Sequence, residues 1–212
     1  MRRAVITSFL PACVVMLVVG GCAAGDKAPA AATVGDVATE SGSTGAGDGK
    51  ITARLVDPAG KGVGTATFSD AEGGGLKLSV EVEGLPPGFH ALHVHAIGAC
   101  EPNSVNPADP SMRGDFLSAG GHIGAGATEH GNHAGDLPSL YVNGSGAGSL
   151  TTVTDALTRA DLTDADGSAV MIHAGRDNYD NIPERYAPGG PDEVTRNTGD
   201  AGGRIACGPV QG

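Results

Sequence analysis

Three of the chain's seven histidines stand close together in the stretch Gly88-Phe89-His90-Ala91-Leu92-His93-Val94-His95-Ala96-Ile97-Gly98-Ala99-Cys100. Alternate side chains of an extended strand point to opposite faces. Leu92 and Val94 are therefore expected to face a core, with His93 and His95 together on the other side. Two imidazoles so placed can hold one metal ion, although an exposed strand also carries polar residues for no chemical reason. The remaining histidines, His122, His130, His133 and His173, weigh on that choice. All seven fall in one strand-like run, one long loop and the end of a late strand-like run, a crowding that packing or solubility does not explain. The loop reads His122-x7-His130-x2-His133-x2-Asp136. Three imidazoles and a carboxylate make a closed tetrahedral set suited to zinc. His93, His95, His122 and His173 form a second set, four neutral imidazoles suited to tetragonal Cu(II). His122 belongs to both because each of its ring nitrogens can bind a metal once deprotonated.

The elements that position these residues are short. From Lys50 onward, alternating segments are separated by Gly, Pro and Asp, and no helical periodicity is sustained. Strands are expected at Ile51 to Val56, Gly64 to Ser69, Leu76 to Glu83, the His93/His95 segment, Ser139 to Val142, Ala147 to Thr154, Ala169 to His173 and Arg204 to Val210. Asp57-Pro58-Ala59-Gly60 reads as a turn, and Leu157 to Leu162 as a single helical turn. Eight strands with turn signals between them imply an all-β, antiparallel sandwich or barrel. Gly98 to Asp136 and Ala174 to Gly203 are too long and too rich in Gly, Pro and Asn for that rhythm. Loops of this length in a compact domain are functional or disordered, and the histidines in and beside them favour function.

Outside this domain lie two appendages. Residues 1–21 carry a basic start, Arg2-Arg3, and a short apolar core, as a secretory signal does. Gly20-Gly21-Cys22 resembles a bacterial lipoprotein cleavage box, with Cys22 the residue that receives lipid. Residues 22–49 hold almost no large apolar residue and read as a flexible tether between a membrane surface and the domain at 50–212. Of the four cysteines, Cys13 leaves with the signal and Cys22 is the candidate lipidation site. Cys100 and Cys207 remain. In an exported protein a disulfide is the expectation for such a pair, with two free thiols as the alternative. The formal net charge of −11 becomes −13 once Arg2 and Arg3 are lost, and no basic run survives, so nucleic-acid binding has no support.

GFHALHVHAIGAC, SAGGH ending at His122, HAGDLPSL from His133, MIHAGRD through Asp177, and TGDAGGRIACG together resemble the bacterial copper/zinc superoxide dismutase family. The resemblance spans about Ile51 to Gly208, and its motifs follow the family's order. It implies an eight-stranded, immunoglobulin-like Greek-key fold with two functional loops. It implies copper at His93, His95, His122 and His173, and zinc at His122, His130, His133 and Asp136, with His122 bridging. His90 matches a structural histidine. Asp177 matches the carboxylate joining a copper histidine to a zinc histidine. Arg204 matches the arginine that guides superoxide, and Thr198 a residue that narrows the channel. Cys100 and Cys207 match the family's internal disulfide.

One departure is the spacing between His130 and His133, shorter than the family's usual zinc loop. All four zinc donors are nevertheless present. The implied reaction is disproportionation of superoxide to oxygen and hydrogen peroxide at a redox-cycling copper, with His122 carrying a proton. The implied address is extracytoplasmic, on an envelope membrane through Cys22, with protection against external superoxide as the role. The family also includes homodimers. The competing reading is a copper-sequestering envelope lipoprotein without turnover, which would need the histidines but not Arg204 or Thr198.

Overall fold

Strict alternation of apolar and polar residues builds the first strands of the computed structural model, which describes residues 49–212. The signal, Cys13, Cys22 and nearly all of the tether lie outside the described residues. In β1 (Ile51–Val56), Ile51, Ala53 and Leu55 are buried while Thr52 and Arg54 are exposed. The sequence Leu76-Lys77-Leu78-Ser79-Val80-Glu81-Val82 does the same in β3 (Leu76–Val82). Between them, β2 (Gly62–Asp70) pairs with both. The remaining strands are β4 (Gly88–His95), β5 (Ser104–Val105), β6 (Arg113–Gly114), β7 (Asp136–Val142), β8 (Gly148–Thr154), β9 (Ala169–His173) and β10 (Arg204–Gln211).

Eight of them close into an antiparallel barrel in the order β1-β10-β9-β4-β7-β8-β3-β2. The chain passes from β3 to β4 and from β8 to β9 without pairing those strands, which makes the connections Greek-key. Closure is weakest between β7 and β8, which are joined only at Val142 and Gly148. Leu55, Phe68, Leu78, Leu92, Leu140 and Ile172 fill the interior.

β9, and β4 from His90 onward, are buried on both faces, and this is what makes a site possible. Leu92 and Val94 point into the barrel, whereas His93 and His95 stand outside it yet are equally buried, covered by the long loops. On β9, Val170 and Ile172 join the main core. Ala169 and Met171 instead pack against Phe116, Ala119 and Cys207 in a second cluster outside the barrel, with Cys100 against it.

The long segments are not featureless. The first contains the two-stranded sheet β5–β6 and a 3-10 turn at Leu117–Ala119. The second contains helix α2 (Glu193–Thr198), started by the Asp192 side chain accepting from Thr195 N and ended at Gly199. The expected turn near Leu157 is helix α1 (Arg159–Leu162), held by a reciprocal capping box between Thr158 and Asp161.

β7 begins at Asp136 rather than at Ser139. His90 pairs with Leu140 and Leu92 with Leu137, so β7 carries one residue more than β4 across that step. Pro138 lies in this bulge, where its missing N–H does least harm. A proline there hides the strand from any reading based on alternation.

Candidate metal centre

Three elements bring the histidines together and a fourth adds an arginine. β4 supplies His93 and His95, and the end of β9 supplies His173. The first long loop folds back along β4, where His95 bridges to His122 and Ile123 N donates to Val94 O at 2.9 Å. Gly135 closes this pairing, because a Cβ there would lie 2.2 Å from Val94 O. Arg204 opens β10 directly opposite His173.

One nitrogen of each ring is tied to an oxygen, which fixes the tautomer and aims the other nitrogen. His93 Nε2 donates to Asp177 Oδ2 at 2.7 Å, His95 Nδ1 to Gly120 O at 2.9 Å and His173 Nδ1 to Gly202 O at 3.2 Å. That leaves His93 Nδ1, His95 Nε2 and His173 Nε2 buried with no partner. Ligand nitrogens of His93, His95, His122 and His173 all lie within 4.8 Å of one another. Buried polar atoms without partners are costly, and a cation bound among them removes that cost.

Beside this set, three imidazoles surround one carboxylate. His122 Nδ1 is 2.8 Å and His130 Nδ1 3.2 Å from Asp136 Oδ1, and His133 Nδ1 is 3.4 Å from Asp136 Oδ2. His130 Nε2 donates to Asp177 Oδ1 at 2.7 Å and His133 Nε2 to Thr128 O at 3.0 Å, so both turn Nδ1 inward. Ligand atoms of His93, His122, His130 and Asp136 lie within 4.8 Å of one another, a group that includes His93 and leaves out His133. The short turn between His130 and His133 is itself built on Asp136, whose Oδ2 accepts from Gly131 N at 2.7 Å and His133 N at 3.0 Å.

The electrostatics suit a cation. Burial holds His95 and His173 well below the ordinary imidazole range, with neighbouring His122 and His93 adding to the effect. Burial likewise pushes His122 down to about 4, against the opposing pull of Asp136. Burial opposes protonation of His130 too, but the Asp136 carboxylate beside it and the hydrogen bond to Asp177 outweigh it and raise the group to about 9. Burial would raise Asp136 and Asp177, yet their histidine partners hold both below the usual carboxylate range. Neutral imidazoles and ionised carboxylates are the forms that bind metal, so His95, His122, His173 and Asp136 are ready for a cation, whereas His130 must first give up its proton.

Arg204 is held at two points, donating to Phe116 O and Gly120 O, each at 2.6 Å. Gly120 O therefore serves both the arginine and His95. Burial lowers the guanidinium to about 10, so it stays charged at neutral pH. Cys100 and Cys207 form the disulfide, with Cα atoms 5.6 Å apart. His90 spans the carbonyls of Pro86 and His173 and faces neither metal set. Thr198 turns its hydroxyl back to Val194 O at 2.8 Å, within α2, and bonds to none of the histidines.

Two contributors carry no chemistry of their own. The Gly120 carbonyl is invisible to a reading of side-chain types. Gly199 sits at φ 57°, and a Cβ there would lie 2.0 Å from Asp177 Oδ1 and 2.3 Å from His130 Nε2. A glycine ending a helix is a recognisable signal, but its closeness to the Asp177–His130 bond is not.

Residues 63–210 match the family model for copper/zinc superoxide dismutase. The copper/zinc superoxide dismutase of Mycolicibacterium paratuberculosis is 47% identical over 167 residues, covering 76% of this chain and 73% of that one. That of Mycobacterium tuberculosis is 46% identical over 168 residues, covering 76% and 69%. Among solved structures, the Brucella abortus Cu/Zn superoxide dismutase superposes with a TM-score of 0.59 at 33% identity, over 76% of this chain and 98% of that one. With this barrel, these motifs and these relatives, the chain belongs to the copper/zinc superoxide dismutase family.

Proposed function

We propose that the chain disproportionates superoxide with copper held by His93, His95, His122 and His173 and zinc held by His122, His130, His133 and Asp136. The observation that carries this reading is the trio of buried, partnerless nitrogens, His93 Nδ1, His95 Nε2 and His173 Nε2, each left free by a tie on the opposite ring atom. Copper bound there would supply the one-electron chemistry by which one superoxide is oxidised to oxygen and a second, taking up two protons, is reduced to hydrogen peroxide. His122 spans the two sets with its Nδ1 directed at Asp136; its Nε2, whenever it is not holding copper, would carry one of the two protons that peroxide needs, with solvent giving the other. Arg204 attracts the substrate anion and holds it beside His95.

A net charge of −11 repels that anion at long range. Surface charges are screened over about 8 to 10 Å, so the fixed guanidinium close to the path governs capture. The shortened turn keeps every zinc donor near Asp136, which supports a two-metal site over copper alone.

The chain works outside the cytoplasm, carried on an envelope membrane by lipid at Cys22, and removes superoxide arriving from outside. The signal-like residues 1–21 and the Cys100–Cys207 disulfide support this address, because disulfides persist in oxidising compartments. Metal content by mass spectrometry, measured with superoxide removal on the same full-chain sample, tests the reaction. Equal copper and zinc with high turnover is expected, and copper without turnover would favour sequestration. Loss of membrane association in Cys22→Ala tests the anchor.

A further inference from the structure

Tyr179 occupies a position that neither metal set explains. It follows Asp177 by two residues, and its own N–H donates to Asp177 Oδ1 at 2.7 Å, the same oxygen that accepts from His130 Nε2. Its phenol reaches the opposite wall of the site. The hydroxyl accepts from Ser139 N at 2.8 Å, lies 3.1 Å from Ser139 Oγ and donates to Leu137 O at 3.4 Å. Leu137 and Ser139 flank the proline bulge of β7, immediately after Asp136. The ring lies nearly parallel to the His130 imidazole, with centroids 6.4 Å apart. Tyr179 and Asp180 both adopt left-handed backbone angles, at φ 54° and 57°, a region a bulky residue rarely visits unless its surroundings hold it there.

We infer that Tyr179 is a positioning residue, a strut seated on the β7 bulge that holds its own N–H in place to aim the Asp177 carboxylate at His93 and His130. The backbone angle at Tyr179 turns the N–H to Asp177 while the ring runs the other way to β7. Without the phenol anchor, nothing bonded to β7 opposes relaxation of Tyr179 and Asp180 to commoner angles. The N–H then swings off Asp177, and the carboxylate is free to rotate away from His130. The zinc side depends on this more than the copper side, because among the described residues the bond to Asp177 is the one hydrogen bond that fixes the His130 ring and turns its Nδ1 toward Asp136. The consequence for zinc rests on the metal assignment proposed above; the strut itself does not.

The test compares Tyr179→Phe, which keeps the ring and removes the hydroxyl, with the unaltered full chain. The first readout needs no metal: hydrogen exchange of the His130 Nε2–H proton, followed by nitrogen-edited NMR in the metal-free chain. The second is Zn(II) affinity by titration. Exchange is expected to accelerate about tenfold and zinc affinity to fall about tenfold, as for other partners that orient a ligand. Copper should stay bound, and the metal-free unfolding midpoint should stay close to that of the unaltered chain. Unchanged exchange would overturn the strut whatever zinc does. Faster exchange with equal zinc affinity would overturn its role in metal binding. An unaltered chain that takes up no zinc would overturn the zinc assignment, and the exchange readout would still decide the strut. Ser139→Ala, which leaves the backbone N–H on the phenol, should match the unaltered chain; an effect equal to that of Tyr179→Phe would place the anchor on Ser139 Oγ and overturn the bulge contact.

Discussion

Arg204 places a positive charge beside His95 by giving one guanidinium nitrogen to Phe116 O and another to Gly120 O. Its carbonyl partners hold its position, so in the proposed reaction the charge would act on the approaching anion without first having to be ordered. Arg204→Glu is expected to lower kcat/KM by about 10 to 100-fold at low ionic strength, with a smaller deficit as salt rises. Copper content should not change, because no copper nitrogen bonds to the arginine. Stopped-flow superoxide decay at several salt concentrations checks this, and equal rates at full copper loading would remove the residue from substrate capture. Gly199 acts by being small. Gly199→Ala is expected to break the His130–Asp177 bond, because the new methyl would occupy the space of Asp177 Oδ1. Zinc affinity should drop by roughly 10 to 100-fold, as for loss of an orienting partner, which titration with Zn(II) measures. Residue type and spacing were enough to single out the histidines and Asp136 that the structure gathers, whereas Asp177 and Arg204 came only with the family resemblance. The Gly120 carbonyl, Gly199 and Tyr179 were not legible, because their work is done by backbone atoms, by missing volume and by a contact across the fold.

At the scale of elements, period-two alternation reveals strands that bury one face and fails where other rules dominate. β3 was plain for that reason. β7 was legible only from Ser139, because Pro138 sits in a bulge. β5, β6 and α2 are too short for any period to show, and they form because the disulfide-linked loop and the Asp192 cap hold them. The first long loop depends on that disulfide. Cys100 is joined to Cys207 on β10, Phe116 N donates to Glu101 O at 2.9 Å, and Phe116 O receives Arg204. The bond spans a sequence separation of 107, for which the chain-entropy model gives about 4 to 5 kcal/mol of stabilisation. Replacing both cysteines with serine should therefore lower the unfolding midpoint by about 10 to 15 °C for a domain of this size. It should also lower kcat/KM, since the carbonyl under Arg204 loses its anchor. Calorimetry and steady-state kinetics on the double variant check the two effects, and a lower midpoint with unchanged kcat/KM would show that the loop stays ordered without the bond.

Taken whole, the metal-free molecule stores conflicting proton preferences in one buried cluster, and these set its stability against pH. An unfolded histidine titrates near 6.5. His130, raised to about 9, holds a proton more tightly when folded, so its contribution is fully present below about 6.5 and is lost as pH rises toward about 9. His122, lowered to about 4, refuses a proton when folded, so stability falls as pH drops from about 6.5 toward about 4. His95 and His173 are displaced in the same direction as His122, mainly by burial. One group favours acid and three oppose it. The unfolding midpoint of the metal-free chain should therefore peak near pH 6.5, with the acid flank steeper than the alkaline one. Below about pH 4, Asp136 and Asp177 add to the loss, because both are held below the usual carboxylate range in the fold. Copper and zinc held at the proposed sites would take the neutral imidazoles and displace the His130 proton, so loading the metals should abolish the alkaline decline and move the acid limb to lower pH. Scanning calorimetry from pH 4 to 9, with and without metals, measures both curves. A metal-free chain whose midpoint is flat across this range would mean that the cluster is solvated or rearranged until metal arrives, and that the preorganised nitrogens described above form only on binding.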